Sequence, residues 1–350
     1  MEKYLIADFS QRDNPDAGLR EFFRDPENKT FGREPVIAMM PDGSLFCTFL
    51  SGGATEPHNR NVVLAKKSRD GGKTWSGTRV LFRHSFQGLW ATEIFTGFDR
   101  PMMIITMYNA DYPAKAFQNF VSYTDDCGES WSEPVSVDPM LQAVSVRAGF
   151  RMSNGEVLFP LYYQVSHARF DWDVSQYYKP GWWDGVHSEC SAAVTADGAD
   201  YSRFGKIRCG TDSLWEPACA ELEPGHIVMF IRWSNAKVLG RADSFDYGRT
   251  WTAPQRTDIP NSGSKIYAFS VNGKLALLTN FHADSRTELA MRISCDGGKT
   301  WERSIPMDAP DAFFTYPHAV VDTATERLFV VYENYKQHYL NVIRFAEAGL

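Results

Sequence analysis

Apolar positions along this chain come in short runs of four to eight, and turn residues break them before a helical period can develop. Pro35–Met40 is followed by Asp42-Gly43 and then by Leu45–Leu50, which predicts two strands joined by a tight turn. The same grammar returns at Arg147–Met152 with Asn154-Gly155, and at Tyr267–Val271 with Asn272-Gly273. Ile227–Arg232 is another apolar run of strand length. Gly and Pro punctuate too often for long amphipathic helices, so the pattern predicts an all-β chain.

Between these runs, four segments repeat nearly the same eight letters: Ser68–Trp75, Thr124–Trp131, Ser244–Trp251 and Ser294–Trp301. Each reads S/T-x-D-x-G-x-S/T-W. Their aspartates, Asp70, Asp126, Asp246 and Asp296, are spaced by 56, 120 and 50 residues, and the long step holds a degraded copy at Thr195–Ser202. In such a box the carboxylate accepts backbone N–H bonds within its own turn, Gly supplies a positive φ, and the Trp anchors the turn against a neighbouring strand. These aspartates are therefore structural. Units of about 50 residues with some four strands each are the mark of a β-propeller. The intact and degraded boxes give five units, and Ala312–Phe345 closed by the N-terminal strand gives a sixth. The expectation is one six-bladed propeller domain spanning residues 1–350.

Composition narrows the function. Aromatic residues at 14% and apolar residues at 43% can fill a large core. The net charge of −7 and the lack of a Lys/Arg stripe argue against a nucleic-acid partner, and any anion site must be built locally. The six cysteines, with no C-x-x-C pair, read as buried free thiols; no metal-ligand spacing or phosphate loop is present, so neither metal nor cofactor is expected. The N-terminal stretch has no apolar segment of a secretory signal, and no run reaches membrane-spanning length, so a cytoplasmic location is expected. The oligomeric state is not readable.

With four boxes in this rhythm, the chain resembles the sialidase (neuraminidase) superfamily of Asp-box propellers over essentially its whole length. The boxes speak for the fold; the same boxes occur in propellers of other function. The resemblance implies three hub arginines that hold a sugar carboxylate. Arg33 stands in Phe31–Pro35 at the place of the first, Arg232 follows Glu216 by 16 residues, and Arg286 lies eight residues ahead of Ser294. It further implies Tyr316 as nucleophile, 30 residues beyond Arg286, Glu216 as its base, and Tyr332-Glu333 closing the last blade. The chemistry is coherent: Arg forks bind carboxylates bidentately and keep their charge. A neutral Tyr also avoids the repulsion that an Asp or Glu nucleophile would meet beside a sugar carboxylate. Taken singly, each arginine reads equally as a surface ion pair and Tyr316 as core filler; order and spacing together distinguish them.

The chain departs from the family pattern in three places. Glu34 stands where an Ile is usual, with Gly32 before Arg33; Tyr316 is followed by Pro317-His318; and the loop Ser51–Arg60 lacks the family's general-acid Asp. Glu56 and His58 are the proton donors that loop offers. Trp183, in an aromatic stretch from Phe170 to His187, and His318 are candidate substrate contacts; Trp90, Glu93 and Asp99-Arg100 are weaker ones. The leading expectation is an exo-acting glycoside hydrolase on a terminal acidic sugar, with a glycan or small molecule as partner. The alternatives are a carbohydrate-active propeller of other chemistry (another glycosidase, a lyase or a transglycosidase) with His58 or His318 in acid/base roles, and a propeller that binds glycan or protein without turnover.

Overall fold

In a computed structural model, residues 2–111, 117–164, 188–210, 212–234, 236–322, 324–325, 327–334 and 342–349 are described. The chain is an all-β propeller. Its N-terminal strand β1 (Lys3–Asp8) is held back for the last sheet, and a short helix α1 (Ala17–Phe22) follows it. The first sheet is β2 (Arg33–Met39), β3 (Leu45–Ser51), β4 (Val62–Ser68) and β5 (Arg79–Phe82); the second is β6 (Gly88–Phe95), β7 (Met102–Tyr108), β8 (Gln118–Tyr123) and β9 (Val135–Ser136). The third has two short inner pieces, β10 (Ser145–Val146) and β11 (Phe150–Arg151), then β12 (Val157–Gln164), β13 (Ser188–Thr195) and β14 (Ser202–Ile207). The fourth is β15 (Leu214–Glu223), β16 (His226–Trp233), β17 (Val238–Ser244) and β18 (Gln255–Pro260). The fifth is β19 (Tyr267–Val271), β20 (Lys274–Asn280), β21 (Leu289–Ser294) and β22 (Arg303–Pro306). The last is β23 (Phe314–Asp322), β24 (Arg327–Asn334), β25 (Val342–Gly349) and β1, which pairs antiparallel with β25. Five sheets thus have four strands and one has five. Each sheet touches the next through its inner strand, and β23 of the last packs on β2 of the first, so the ring closes.

The predicted hairpins are present where the apolar runs placed them, with Gly43 at φ 77°, Asn272 at 51° and Gly273 at 72° in the turns. One needs correction: Arg147–Met152 is not a continuous strand. The inner strand of the third sheet breaks between Val146 and Phe150, where a Cβ on Gly149 would meet the Phe159 ring at 2.3 Å. β3, β4 and β7 are buried at every position, because each is covered on both faces by its neighbours. This is why β3 and β7 read as nearly continuous apolar runs rather than alternations, while β4 carries the buried Lys66 and Lys67.

The boxes join the third strand of a sheet to the fourth. Thr74, Ser130, Thr250 and Thr300 donate backbone N–H bonds of 2.8–2.9 Å to the box aspartates, and Gly72, Gly128, Gly248 and Gly298 sit at φ 81–88°. The Trp residues join one sheet to the one before it. Trp131 lies 5.5 Å from Phe46, Trp301 lies 6.3 Å from Phe230, and a Cβ on Gly205 would strike Trp251. In the degraded copy Asp197 still accepts from Ala199 N–H at 2.9 Å. Tyr201 replaces the missing Trp, its hydroxyl donating to Gly198 O at 3.0 Å, as Trp75 donates to Gly72 O at 2.9 Å. Cys47, Cys190 and Cys219 are buried thiols as expected, Cys127 and Cys209 are half-buried, and Cys295 is exposed, since it lies within a box turn. Among the described residues no helix is long and apolar enough to cross a membrane.

Asp16 ties α1 to the first sheet. Its carboxylate caps Gly18 N–H at 2.9 Å, takes a 2.7 Å bond from Lys66 Nζ and another of 2.7 Å from the Thr78 hydroxyl. Burial raises its pKa, but Lys66 and Thr78 outweigh that and hold it at about 2. Asp16→Ala is expected to lose about 1–3 kcal/mol at pH 7. A carboxylate with a depressed folded pKa stabilises above its unfolded value and ceases to as pH falls through the folded one. The difference between wild type and variant in chemical denaturation should therefore shrink between pH 4 and about 2.

Candidate active site

The inner strands carry their polar residues toward the centre by a repeated local device. In β2, β15 and β23 the register slips between Arg33 and Val36, Trp215 and Ala218, and Thr315 and His318. Within each slip one non-glycine residue takes positive φ: Glu34 (51°), Glu216 (44°) and Tyr316 (53°). Each is followed by a proline, Pro35, Pro217 or Pro317, whose missing N–H costs no ladder bond at a bulge. Such backbone is disfavoured by about 1–3 kcal/mol per residue and persists where surrounding structure holds it, commonly at functional sites.

All three residues line one central cavity of about 760 Å³. Its wall also holds Arg33, Arg232, Arg286 and Glu56 together with Trp90, Tyr162 and Trp215. Tyr316 is 5% exposed and is the focus of the cations. Its hydroxyl oxygen accepts from Arg232 Nη1 at 3.3 Å and from Arg286 Nη2 at 3.4 Å, and the Arg33 and Arg286 guanidiniums lie 5.1 and 4.9 Å from its ring centre. The three predicted arginines and Tyr316 are thus brought together. Arg232 Nη1 also donates to Glu216 Oε2 at 2.9 Å, so one guanidinium nitrogen stands between Glu216 and the phenol.

Electrostatics sort the acids. Burial alone would raise Glu216, but Arg232 and Arg147 outweigh it and keep the carboxyl below its ordinary value. Burial raises the Tyr316 phenol, against the pull of Arg286. Glu56 is raised by burial despite the 2.5 Å bond it accepts from Arg33 Nη1. Arg33 is braced from behind by Glu333, whose Oε1 is 3.5 Å from Nη2 and whose Oε2 accepts the Glu34 N–H at 2.7 Å.

The two candidate donors separate. Glu56 lines the cavity, whereas His58 is not among its lining residues: its Nδ1 accepts the Arg60 N–H at 3.1 Å and its ring packs where a Cβ on Gly53 would be. His318 is buried behind the cavity, with Nδ1 accepting from Ile37 N–H at 3.4 Å and Nε2 3.6 Å from Glu93. Arg100 pairs with Asp125 on the surface at 2.6 Å, and Trp183 lies outside the described residues. Sequence reasoning did not single out Arg147 or Lys265, and it took Glu34 only as a departure. Arg147 and Glu34 line the cavity, with Lys265 Nζ 3.5 Å from Glu34 Oε2. The repeated x-Pro step was the available signal for Glu34; Arg147 sits at the break of an inner strand and had none.

Residues 43–328 match the model of the BNR repeat-like domain. The chain belongs to that family. A curated sialidase of Bacteroides fragilis (strain YCH46) is 24% identical over 78% of this chain and 54% of its own length. One of Micromonospora viridifaciens is 23% identical over 80% of this chain and 37% of its own length. The chain therefore spans about half or less of the curated relatives it matches. Among solved structures, the Hadza microbial sialidase Hz136 superposes with a TM-score of 0.71 at 19% identity, covering 93% of this chain and 67% of that one. A protein of unknown function from Dyadobacter fermentans superposes at 0.72 with 16% identity, covering 100% and 98%. The BNR repeats and the likeness to sialidases read from the four boxes hold for this family member.

Glu93 offers a test of the buried electrostatics. Burial pushes its carboxyl up to about 8, although Lys265 and Arg147 pull it down. An acid whose folded pKa is raised binds its proton more tightly in the folded state, so its contribution falls as pH rises from about 4.3 to 8. Glu93→Gln should remove that fall, gaining about 1–3 kcal/mol relative to wild type across the interval. Parallel stability curves from pH 5 to 9 would contradict the assignment.

Proposed function

We propose that the cavity is the active site of a sialidase-superfamily glycoside hydrolase that releases a terminal acidic sugar, with the six sheets as six blades around it. The observation that carries the reading is the convergence of Arg33, Arg232 and Arg286 on Tyr316 beside an ionised Glu216. Three guanidiniums form a socket for the sugar carboxylate and hold it over the phenol. The Tyr316 oxygen attacks the anomeric carbon and gives up its proton toward Glu216, which Arg232 positions. The bond to the leaving oxygen breaks as that oxygen takes the Glu56 proton. Water then attacks the anomeric carbon with Glu56 as base, the bond to the Tyr316 oxygen breaks as Glu216 returns the proton to it, and configuration is retained. Glu56 replaces the family's Asp in this reading because it reaches the cavity and burial favours its protonated form.

Two variants test the roles. On aryl glycosides of a sialic acid and a uronic acid, Tyr316→Phe should lower kcat by roughly 10³-fold or more. A propeller that only binds glycan would show no turnover in the wild type. Glu56→Gln should slow natural glycosides by roughly 10²–10⁴ and largely spare activated aryl leaving groups, which need little protonation. Equal loss on both substrate types would remove Glu56 from the donor role.

A further inference from the structure

Opposite Tyr316 across the ring, the third sheet brings a fourth arginine to the cavity. Arg147 follows β10 at the break in the inner strand, anchored by its backbone N–H to Pro160 O at 2.8 Å. It is 5% exposed, lines the cavity, and its Nη2 has no hydrogen-bond partner among the described residues. The nearest carboxylate oxygen is Glu34 Oε2, at 4.0 Å from that nitrogen, and Glu34 is shared with Lys265 Nζ at 3.5 Å. Lys265 is itself 4% exposed. Two buried cations thus share Glu34, with Glu216 acting on both from farther away, and neither is within close hydrogen-bonding reach of Glu34. A buried guanidinium nitrogen left unpaired is costly, and such groups are normally satisfied by a partner. Burial pushes the Glu93 carboxyl up toward its protonated form, against the pull of Lys265 and Arg147.

The geometry points to Arg147 as a second oxyanion site in the cavity, reading a second carboxylate or sulfate on the same sugar ring. The inference rests on the carboxylate socket proposed above. A ring whose first carboxylate is held by Arg33, Arg232 and Arg286, on the first, fourth and fifth sheets, extends away from Tyr316 toward the third. There Trp90, Tyr162 and Trp215 form an apolar wall and Arg147 lines the cavity, its buried Nη2 without a hydrogen-bond partner among the described residues. The substrate class is an acidic sugar that carries two negative groups on opposite sides of the ring.

Rigid six-membered probes separate the two sites: benzoate has one oxyanion, while isophthalate, terephthalate and 3-sulfobenzoate add a second at different reach or of different chemistry. In titration calorimetry at fixed ionic strength, at least one dianion should bind the wild type about tenfold tighter than benzoate, and Arg147→Gln should bring that ratio to about one. Arg147→Lys, which keeps the charge without the fork, should give an intermediate ratio. Equal wild-type affinity for benzoate and all dianions overturns the second site. So does a ratio that survives Arg147→Gln while both affinities fall, which is the mark of a structural role. Failure of benzoate itself to bind, or binding indifferent to Arg286→Ala, overturns the three-arginine socket instead.

Discussion

The hub of this propeller is governed by the cost of gathering cations out of water around one phenol. Arg33, Arg147, Arg232 and Arg286 reach a single cavity, with Lys265 behind it, and each would be unfavourable there without opposing charge. The acids answer this unevenly. Glu216 is held ionised against Arg232, while Glu56 and Glu93 are pushed toward their protonated forms by burial. The result is a positive cavity within a chain whose overall charge is −7. Positive potential here is a local construction, independent of the net charge of the molecule.

The fold supplies that construction by separating two tasks. The outer edge of five of the six sheets is stiffened by a box turn whose Asp is satisfied within the turn, and the Trp or Tyr201 rivets turn or sheet. The inner strands are left free to bulge. Positive φ at Glu34, Glu216 and Tyr316 aims an acid, an acid and a phenol into the centre, with a proline after each to end the ladder locally. Strain at the hub is tolerated because closed packing around the ring over-determines it.

Much of the architecture was legible because turns have strong local chemistry: Asp42-Gly43, Asn272-Gly273 and the four boxes mark where strands end. The spacing of Arg33, Glu216, Arg232, Arg286 and Tyr316 also led to one cavity, reached from the first, fourth, fifth and last sheets. Other parts were hidden. His58 looked as suitable a donor as Glu56 because loop sequence does not say which side chain turns inward, and here Gly53 and the Arg60 N–H take the imidazole. His318 follows Tyr316 by two residues, yet the bulge sends it behind the wall. Arg147 and Lys265 were missed because a charged residue near an inner strand has the same signature as one on the surface. Glu34-Pro35, Glu216-Pro217 and Tyr316-Pro317 were each visible, but their meaning lies in their being the same bulge three times.

The proposed function turns on Tyr316 as the nucleophile of the cavity. Its most direct test is intact-mass and peptide-mapping analysis after incubation with a fluorinated, activated analogue of an acidic glycoside that the protein turns over, since the fluorine slows release of a covalent intermediate. The account predicts one glycosyl adduct per chain, carried by the peptide containing Tyr316 and lost in Tyr316→Phe. An adduct on a carboxylate such as Glu56 or Glu216, or steady turnover of the parent glycoside with no adduct at all, would contradict it.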